Sequence, residues 1–284
     1  MDTPDPAMRG FLASVRRARV GRDEIALWYI GGAGYILRTA GCTLLIDPFL
    51  GPSGPPDWLR EVPPAFAPES VGELGSLDAV LISHEHGDHA DETALAAIAR
   101  HTDAPVIGSR ESIAVAENIG VPAARLSVVG TDATFEIGDV RAATTAAFDP
   151  LATGCLGYVL EAGGVSLLHC GDSLYFEGFA EFGQRWHIDV LCVSVGFNPP
   201  GKTLYMDESD AARAARDCGA RILIPQHFDL WRGLTLDPRR VRTVTSWYAP
   251  QTRVIPARFG RRITISAGCS GSPRMSPQGR RVTS

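Results

Sequence analysis

Between residues 77 and 98 the chain passes from an apolar run, across a loop dense in histidine, into a helix, and that passage constrains the fold more than any other feature. Leu77-Asp78-Ala79-Val80-Leu81-Ile82 has the length and branched apolar character of a buried strand. Asp91 stands where an N-cap belongs, ahead of Thr93-Ala94-Leu95-Ala96-Ala97-Ile98. Between them, Ser83-His84-Glu85-His86-Gly87-Asp88-His89 packs three imidazoles and the Asp88 carboxylate into a few positions, in a chain with only 7 histidines among 284 residues. On a helix His84 and His86 would diverge, because two residues turn the chain by about 200°. On a tight loop relaxed by Gly87 they converge on one point, while Asp88 and His89 address a second point nearby. Imidazole nitrogen and carboxylate oxygen suit zinc, manganese and iron. The segment therefore predicts a divalent-metal site on a strand-to-helix loop at one edge of a sheet.

Short strand and helix signals alternate through the rest of the chain without a long linker. Residues 26–30, 35–38 and 42–46 read as an antiparallel meander, turned at Gly31-Gly32-Ala33-Gly34 and Ala40-Gly41. Further strands are predicted over 104–107, 140–143, 157–160, 165–169, 190–193, 222–225 and 252–256. Helices are predicted over 110–119, 175–182 and 208–218, the last between an Asp207 cap and a Gly219 stop. The proline-rich piece from Pro52 to Pro68 reads as a long surface loop near the site. The domain expectation is an extension over 1–20, one domain over 21–268 and a polar, basic, disordered tail over 269–284.

Composition narrows the class of partner. The chain is 45% hydrophobic and 21% charged, ordinary for a packed domain. Its net charge of −5 gives no footprint for nucleic acid, and no run approaches the ~18 apolar residues that span a bilayer. The acidic, proline-rich start is unlike a secretory signal. The 6 cysteines are scattered without a CxxC pair, which favours reduced thiols and a cytoplasmic location. A small-molecule substrate is the expected partner, with no nucleic acid and no membrane; a homo-oligomer stays open.

Two later segments carry chemistry of the same kind. Val165 to Ser173 is a strand ending in Gly171-Asp172, where Asp172 is either a ligand or a helix cap. Ile222 to Trp231 is a buried strand ending in His227, either a ligand or a satisfied core histidine.

His84-x-His86-x-Asp88-His89 after a hydrophobic strand resembles the signature of the metallo-β-lactamase superfamily. The resemblance implies an α/β (α+β) fold, a four-layer αββα sandwich with the metal site at one edge of the paired sheets, and hydrolytic activity. It makes Asp172 the metal-bridging carboxylate and His227 the last metal histidine. A third histidine is expected between these motifs, but Val140 to Pro150 contains none and Asp149 is the nearest candidate. The implied ligands are His84, His86, Asp88, His89, Asp172 and His227, holding one or two divalent ions, Zn or Mn. With no histidine to complete the His84–His86 position, a single ion on Asp88, His89, Asp172 and His227 is one arrangement open beside a two-ion site.

A Phe-Asp pair at Phe148-Asp149 resembles the L-ascorbate-6-phosphate lactonase branch. So do Trp28 to Gly34, Ile46-Asp47-Pro48-Phe49, His169 to Tyr175, Gly196 to Gly201, and Pro225 to Trp231 with Asp237-Pro238-Arg239. Phe228 and Leu174 stand where that branch is expected to carry histidine, which leaves the exact substrate open. Asp47 is a strand-end turn or a support for the metal histidines, and His169 a further ligand or support. Phe148, Asn198, Lys202, Asp229 and Trp231 are candidates for substrate binding. Cys170 reads as a small buried side chain and His187 as structural.

The implied mechanism is metal-assisted hydrolysis. The ion lowers the pKa of a bound water towards ~7, Asp88 or Asp172 orients the attacking oxygen and carries its proton, and the metal or a nearby donor such as Asn198 stabilises the oxyanion. A phosphorylated lactone is the substrate that the branch suggests. The alternatives are a two-metal phosphodiesterase, a non-catalytic metal-binding regulator, and a diiron oxygen-handling protein, the last disfavoured because that branch carries Glu where this chain has His86.

Overall fold

The computed structural model describes residues 10–51 and 59–267. Residues 1–9 of the expected extension, part of the proline-rich loop and the expected tail lie outside those described residues.

The alternation of apolar side chains builds the layers. In β1 (Glu24–Gly31), Ile25, Leu27 and Tyr29 face one core while Ala26, Trp28 and Ile30 face another. The same period-two division runs through β2 (Gly34–Arg38), β3 (Thr43–Ile46) and β4 (Ala79–Ile82), so these strands are buried on both faces. With β5 (Val106–Gly108), β6 (Leu126–Val128) and β14 (Arg262–Ser266) they form a sheet ordered β14-β1-β2-β3-β4-β5-β6. The second sheet is ordered β13-β12-β11-β10-β9-β8-β7, from β7 (Thr134–Ile137), β8 (Val140–Ala146), β9 (Leu156–Ala162), β10 (Val165–His169), β11 (Val190–Ser194), β12 (Ile222–Gln226) and β13 (Arg253–Val254).

Leu27, Leu44 and Leu81 from the first sheet meet Tyr158, Leu167 and Cys192 from the second in the central layer. Helices α1 (Phe11–Arg17), α2 (Glu92–His101) and α3 (Arg110–Asn118) cover the outer face of the first sheet. Helices α4 (Gly178–Arg185), α5 (Glu208–Cys218) and α6 (Pro238–Tyr248) cover the other. The result is the expected αββα sandwich.

The meander, α2 with its Asp91 cap, and α5 between Asp207 and Gly219 form as expected. Several boundaries differ, β8 and β9 being longer than expected. β5 starts at Val106 because Pro105 has no N–H for the ladder. The 252–256 segment pairs only over Arg253–Val254 before Pro256. The fourth helix runs over Gly178–Arg185 rather than 175–182, and Leu174 N–H, ahead of it, bonds Phe148 O. A 3-10 helix over Pro68–Leu74 begins where the expected surface loop ends.

Among the labelled strands and helices, five have no sequence expectation: α1, α6, β6, β7 and β14. α1 buries Phe11, Leu12 and Val15 against the first sheet. α6 is polar and buries only Val241 and Thr245.

Candidate metal centre

Parallel pairing aligns the ends that matter. β3 pairs with β4, and β10, β11 and β12 pair in order, all in parallel. Asp47, Ser83, Asp172 and His227 therefore leave their sheets at carboxyl ends, the edge where open α/β sheets bind ligands. The loop from His84 to His89 lies between the two sheets' contributions.

Asp88, His89, Asp172 and His227 are all buried, and one ligand atom of each lies within 4.8 Å of the others. His89 Nε2 is 3.3 Å from Asp172 Oδ2 and 4.0 Å from Asp88 Oδ2. His227 Nε2 is 3.1 Å from Asp88 Oδ2 and 3.5 Å from Asp172 Oδ2. His89 Nε2 and Asp172 Oδ1 are buried without a hydrogen-bond partner, a costly state for polar atoms that a cation would relieve. Two nitrogens and two carboxylates gathered in this way fit a divalent transition metal.

Supports orient these donors. Asp47 Oδ1 accepts from Ser83 N–H at 2.7 Å, and Oδ2 accepts from Ser83 Oγ at 2.6 Å and from His89 Nδ1 at 2.9 Å. That last bond places the His89 proton on Nδ1 and leaves Nε2 facing the cluster. Trp231 Nε1 donates to Asp88 Oδ2 at 3.2 Å. The Tyr205 ring packs 4.7 Å from the His227 ring. Asp47 and His227 hold φ of 42° and 66°, left-handed conformations uncommon outside glycine that cluster at functional sites. Gly171, at φ 57°, lies so close to Ser83 that an added Cβ would sit 2.7 Å from Ser83 Oγ.

Charge is balanced inside the cluster. Burial pushes the Asp88 and Asp172 carboxyls up, but the neighbouring His89 and His227 overcome it and hold both below the usual carboxylate range. Burial pushes His89 and His227 down, and the facing carboxylates Asp172 and Asp88 raise them above the usual imidazole value.

His84, His86 and Asp149 form a second group, again within 4.8 Å. His84 Nε2 is 3.0 Å from His86 Nδ1, and Asp149 Oδ2 is 3.3 Å from His86 Nδ1 and 3.6 Å from His84 Nε2. Asp149 thus stands beside the two imidazoles, where a histidine is expected in the superfamily. Its loop is clipped to the Asp172 loop by Phe148 N–H to Ser173 Oγ at 3.0 Å and Leu174 N–H to Phe148 O at 2.7 Å. Burial lowers His84 to about 4, whereas the Asp149 hydrogen bond raises His86, whose side chain is 33% exposed.

Other sequence candidates fall outside the two groups. His169 is buried with Nε2 on Ala33 O at 2.8 Å and Nδ1 accepting from Gly171 N–H at 3.3 Å, so both nitrogens brace backbone. Asp229 accepts from Tyr29 OH at 3.0 Å. Lys202 is exposed on the loop after β11. Asn198, the expected oxyanion donor, has its amide engaged in its own loop: Oδ1 accepts from Leu204 and Tyr205 N–H, and Nδ2 donates to Tyr205 O. The amide clamps its own loop. Sequence reasoning missed Ser83, which bonds Asp47 and lies 3.0 Å from His84 Nδ1 and 3.2 Å from His89 Nδ1. Its position as the first polar residue after β4 was the available signal. It also missed Tyr205, whose loop carries no motif.

Comparison with known proteins agrees with this geometry. The family model described as "Beta-lactamase superfamily domain" matches residues 43–228. The "Probable L-ascorbate-6-phosphate lactonase UlaG" of Escherichia coli is 27% identical over 274 residues, spanning 81% of this chain and 77% of the relative. An isothiocyanate hydrolase from Delia radicum gut bacteria superposes with a TM-score of 0.71 at 19% identity, covering 86% of this chain and 100% of that one. Igni18, a metallo hydrolase from the archaeon Ignicoccus hospitalis, superposes with a TM-score of 0.68 at 18% identity, covering 86% and 99%. The two structural likenesses speak for the fold, and the family model spans more than half of the sequence. The chain belongs to the metallo-β-lactamase superfamily.

Proposed function

We propose that this metallo-hydrolase fold serves a lactonase or esterase, with a divalent ion held by Asp88, His89, Asp172 and His227. The observation that carries the reading is the convergence of those four buried donors with His89 Nε2 and Asp172 Oδ1 left unpartnered. A divalent ion held there supplies Lewis acidity and a water acidic enough to react at neutral pH. The protein's share is positioning and proton handling. Asp47 fixes the His89 ring, and Trp231 N–H fixes the Asp88 carboxylate. Asp88 or Asp172 would orient an attacking water and carry its proton to the departing alkoxide.

The rim favours a substrate with apolar substituents. Phe148, Leu151 and Phe197 are 53%, 64% and 50% exposed, on the Asp149 loop and the loop after β11, and Lys202 is exposed on the latter loop. His86 Nε2 lies 3.2 Å from Leu151 O, which ties that rim to the second donor group. That group also supports a second reading, two-ion phosphodiester hydrolysis, in which His84, His86 and Asp149 hold another ion. The unpaired cysteines among the described residues fit a reducing, cytoplasmic setting.

Metal content per chain, read with turnover of a lactone panel with and without a 6-phosphate and of bis-(p-nitrophenyl) phosphate, tests both readings. Lactone turnover with about one ion per chain supports the first. Two ions per chain and faster turnover of the phosphodiester support the second.

A further inference from the structure

A groove of about 770 Å³ lies between α6, the edge strand β13 and the edge strand β14, and no residue of either donor group lines it. Five arginines line it: Arg242, Arg253, Arg258, Arg261 and Arg262. All are exposed. Arg262 has modest company, donating to Arg19 O at 2.9 Å and standing 4.0 Å from Glu24. Arg242, Arg253, Arg258 and Arg261 have no carboxylate partner among the described residues, although arginines elsewhere in the chain pair with Asp132, Asp189 or Glu208.

The sequence concentrates this charge. Every one of the 32 carboxylate side chains lies at or before Asp237, whereas 10 arginines follow it. A protein of net charge −5 therefore presents one strongly positive concavity. Guanidinium groups of like charge crowded in a groove repel one another unless an anion lies between them, and their planar forks match phosphate oxygens. The groove's size lies in the range of small-molecule sites, ~300–1,000 Å³.

We propose that this groove is a binding site for a small polyphosphate anion, a chain of two or more linked phosphates, separate from the hydrolytic centre. Free inorganic triphosphate and the triphosphate of a nucleotide share that chemistry.

Isothermal titration of the metal-loaded full chain at low salt, with inorganic triphosphate, ATP and a short single-stranded RNA as separate titrants, tests the site. The variants are R253Q/R261Q, exposed and outside the proposed catalytic groups, and His227→Asn in the metal centre. The expected result is saturable triphosphate binding that weakens at least ~10-fold in R253Q/R261Q, weakens with added salt and survives in His227→Asn. Lactone turnover without triphosphate should be unchanged in R253Q/R261Q. Equal affinity for ATP and triphosphate identifies the phosphate chain alone as the ligand, and tighter ATP identifies a nucleotide; both support the proposal. Three outcomes overturn it: no triphosphate binding, binding lost in His227→Asn but kept in R253Q/R261Q, or binding of RNA alone.

Discussion

The two donor groups share one loop yet are held in different ways. Asp88, His89, Asp172 and His227 draw on the carboxyl ends of β4, β10 and β12, strands from both sheets, and each donor is buried. Asp47, Ser83 and Trp231 restrain them further. His84, His86 and Asp149 instead combine one buried imidazole, one partly exposed imidazole and a carboxylate from a loop after an antiparallel strand. A site whose donors are fixed by packed strands loses little freedom when an ion arrives, so it should bind tightly. A site completed by a loop must order that loop, and should fill second.

The largest effect expected from this contrast is loss of the first group. Asp172→Asn combined with His227→Asn should lower ester hydrolysis at least ~10²-fold, since metal activation of water carries several kcal/mol. Asparagine tolerates the left-handed backbone at position 227, so folding should persist, as circular dichroism would show. Asp47→Asn comes next. By weakening the hold on His89 it should reduce metal affinity ~10–100-fold, measured by competition with a chelating dye, while the ligands stay in place. If that variant binds metal normally, the restraint on the first group is not what distinguishes it.

His86→Ala and Asp149→Ala should have smaller consequences. Each should leave about one ion per chain and most of the lactone turnover, and remove any second ion. A loss as deep as that of the Asp172 and His227 pair would mean that the groups act as one two-ion centre. The contrast also has a pH signature. His89 and His227 are raised above ~6.5 by the carboxylates facing them. An ion must displace their protons, so affinity at the first group should climb as pH rises through and above ~6.5, with proton release visible by calorimetry in buffers of different ionisation enthalpy. The smallest effect is expected at Asn198→Ala: a loop loosened by ~1 kcal/mol on thermal melting, with kcat nearly unchanged because the amide faces Leu204 and Tyr205.

Much of this was legible in the residues, for identifiable reasons. Strands buried on both faces, such as those ending at Ile82 and His169, announce themselves as short apolar runs. The histidine loop gives away a donor cluster because its spacing has little use otherwise. Asp149 could be nominated as the stand-in for a missing histidine, and its side chain lies against His84 and His86. What stayed hidden depends on partners remote in sequence. α6 looks polar because only Val241 and Thr245 are buried. β14 closes the first sheet by pairing with β1 from the far end of the chain. Asn198 looked catalytic because nothing in its own neighbourhood reveals that Leu204 and Tyr205 satisfy its amide.

The central claim is that the four buried donors hold the ion on which hydrolysis depends. Metal per chain, measured by mass spectrometry on the wild type, on Asp172→Asn with His227→Asn, and on His86→Ala, tests it most directly. The account predicts at least one ion in the wild type, about one in His86→Ala and close to none in the double variant. A double variant that keeps its ion while His86→Ala loses it would contradict the account.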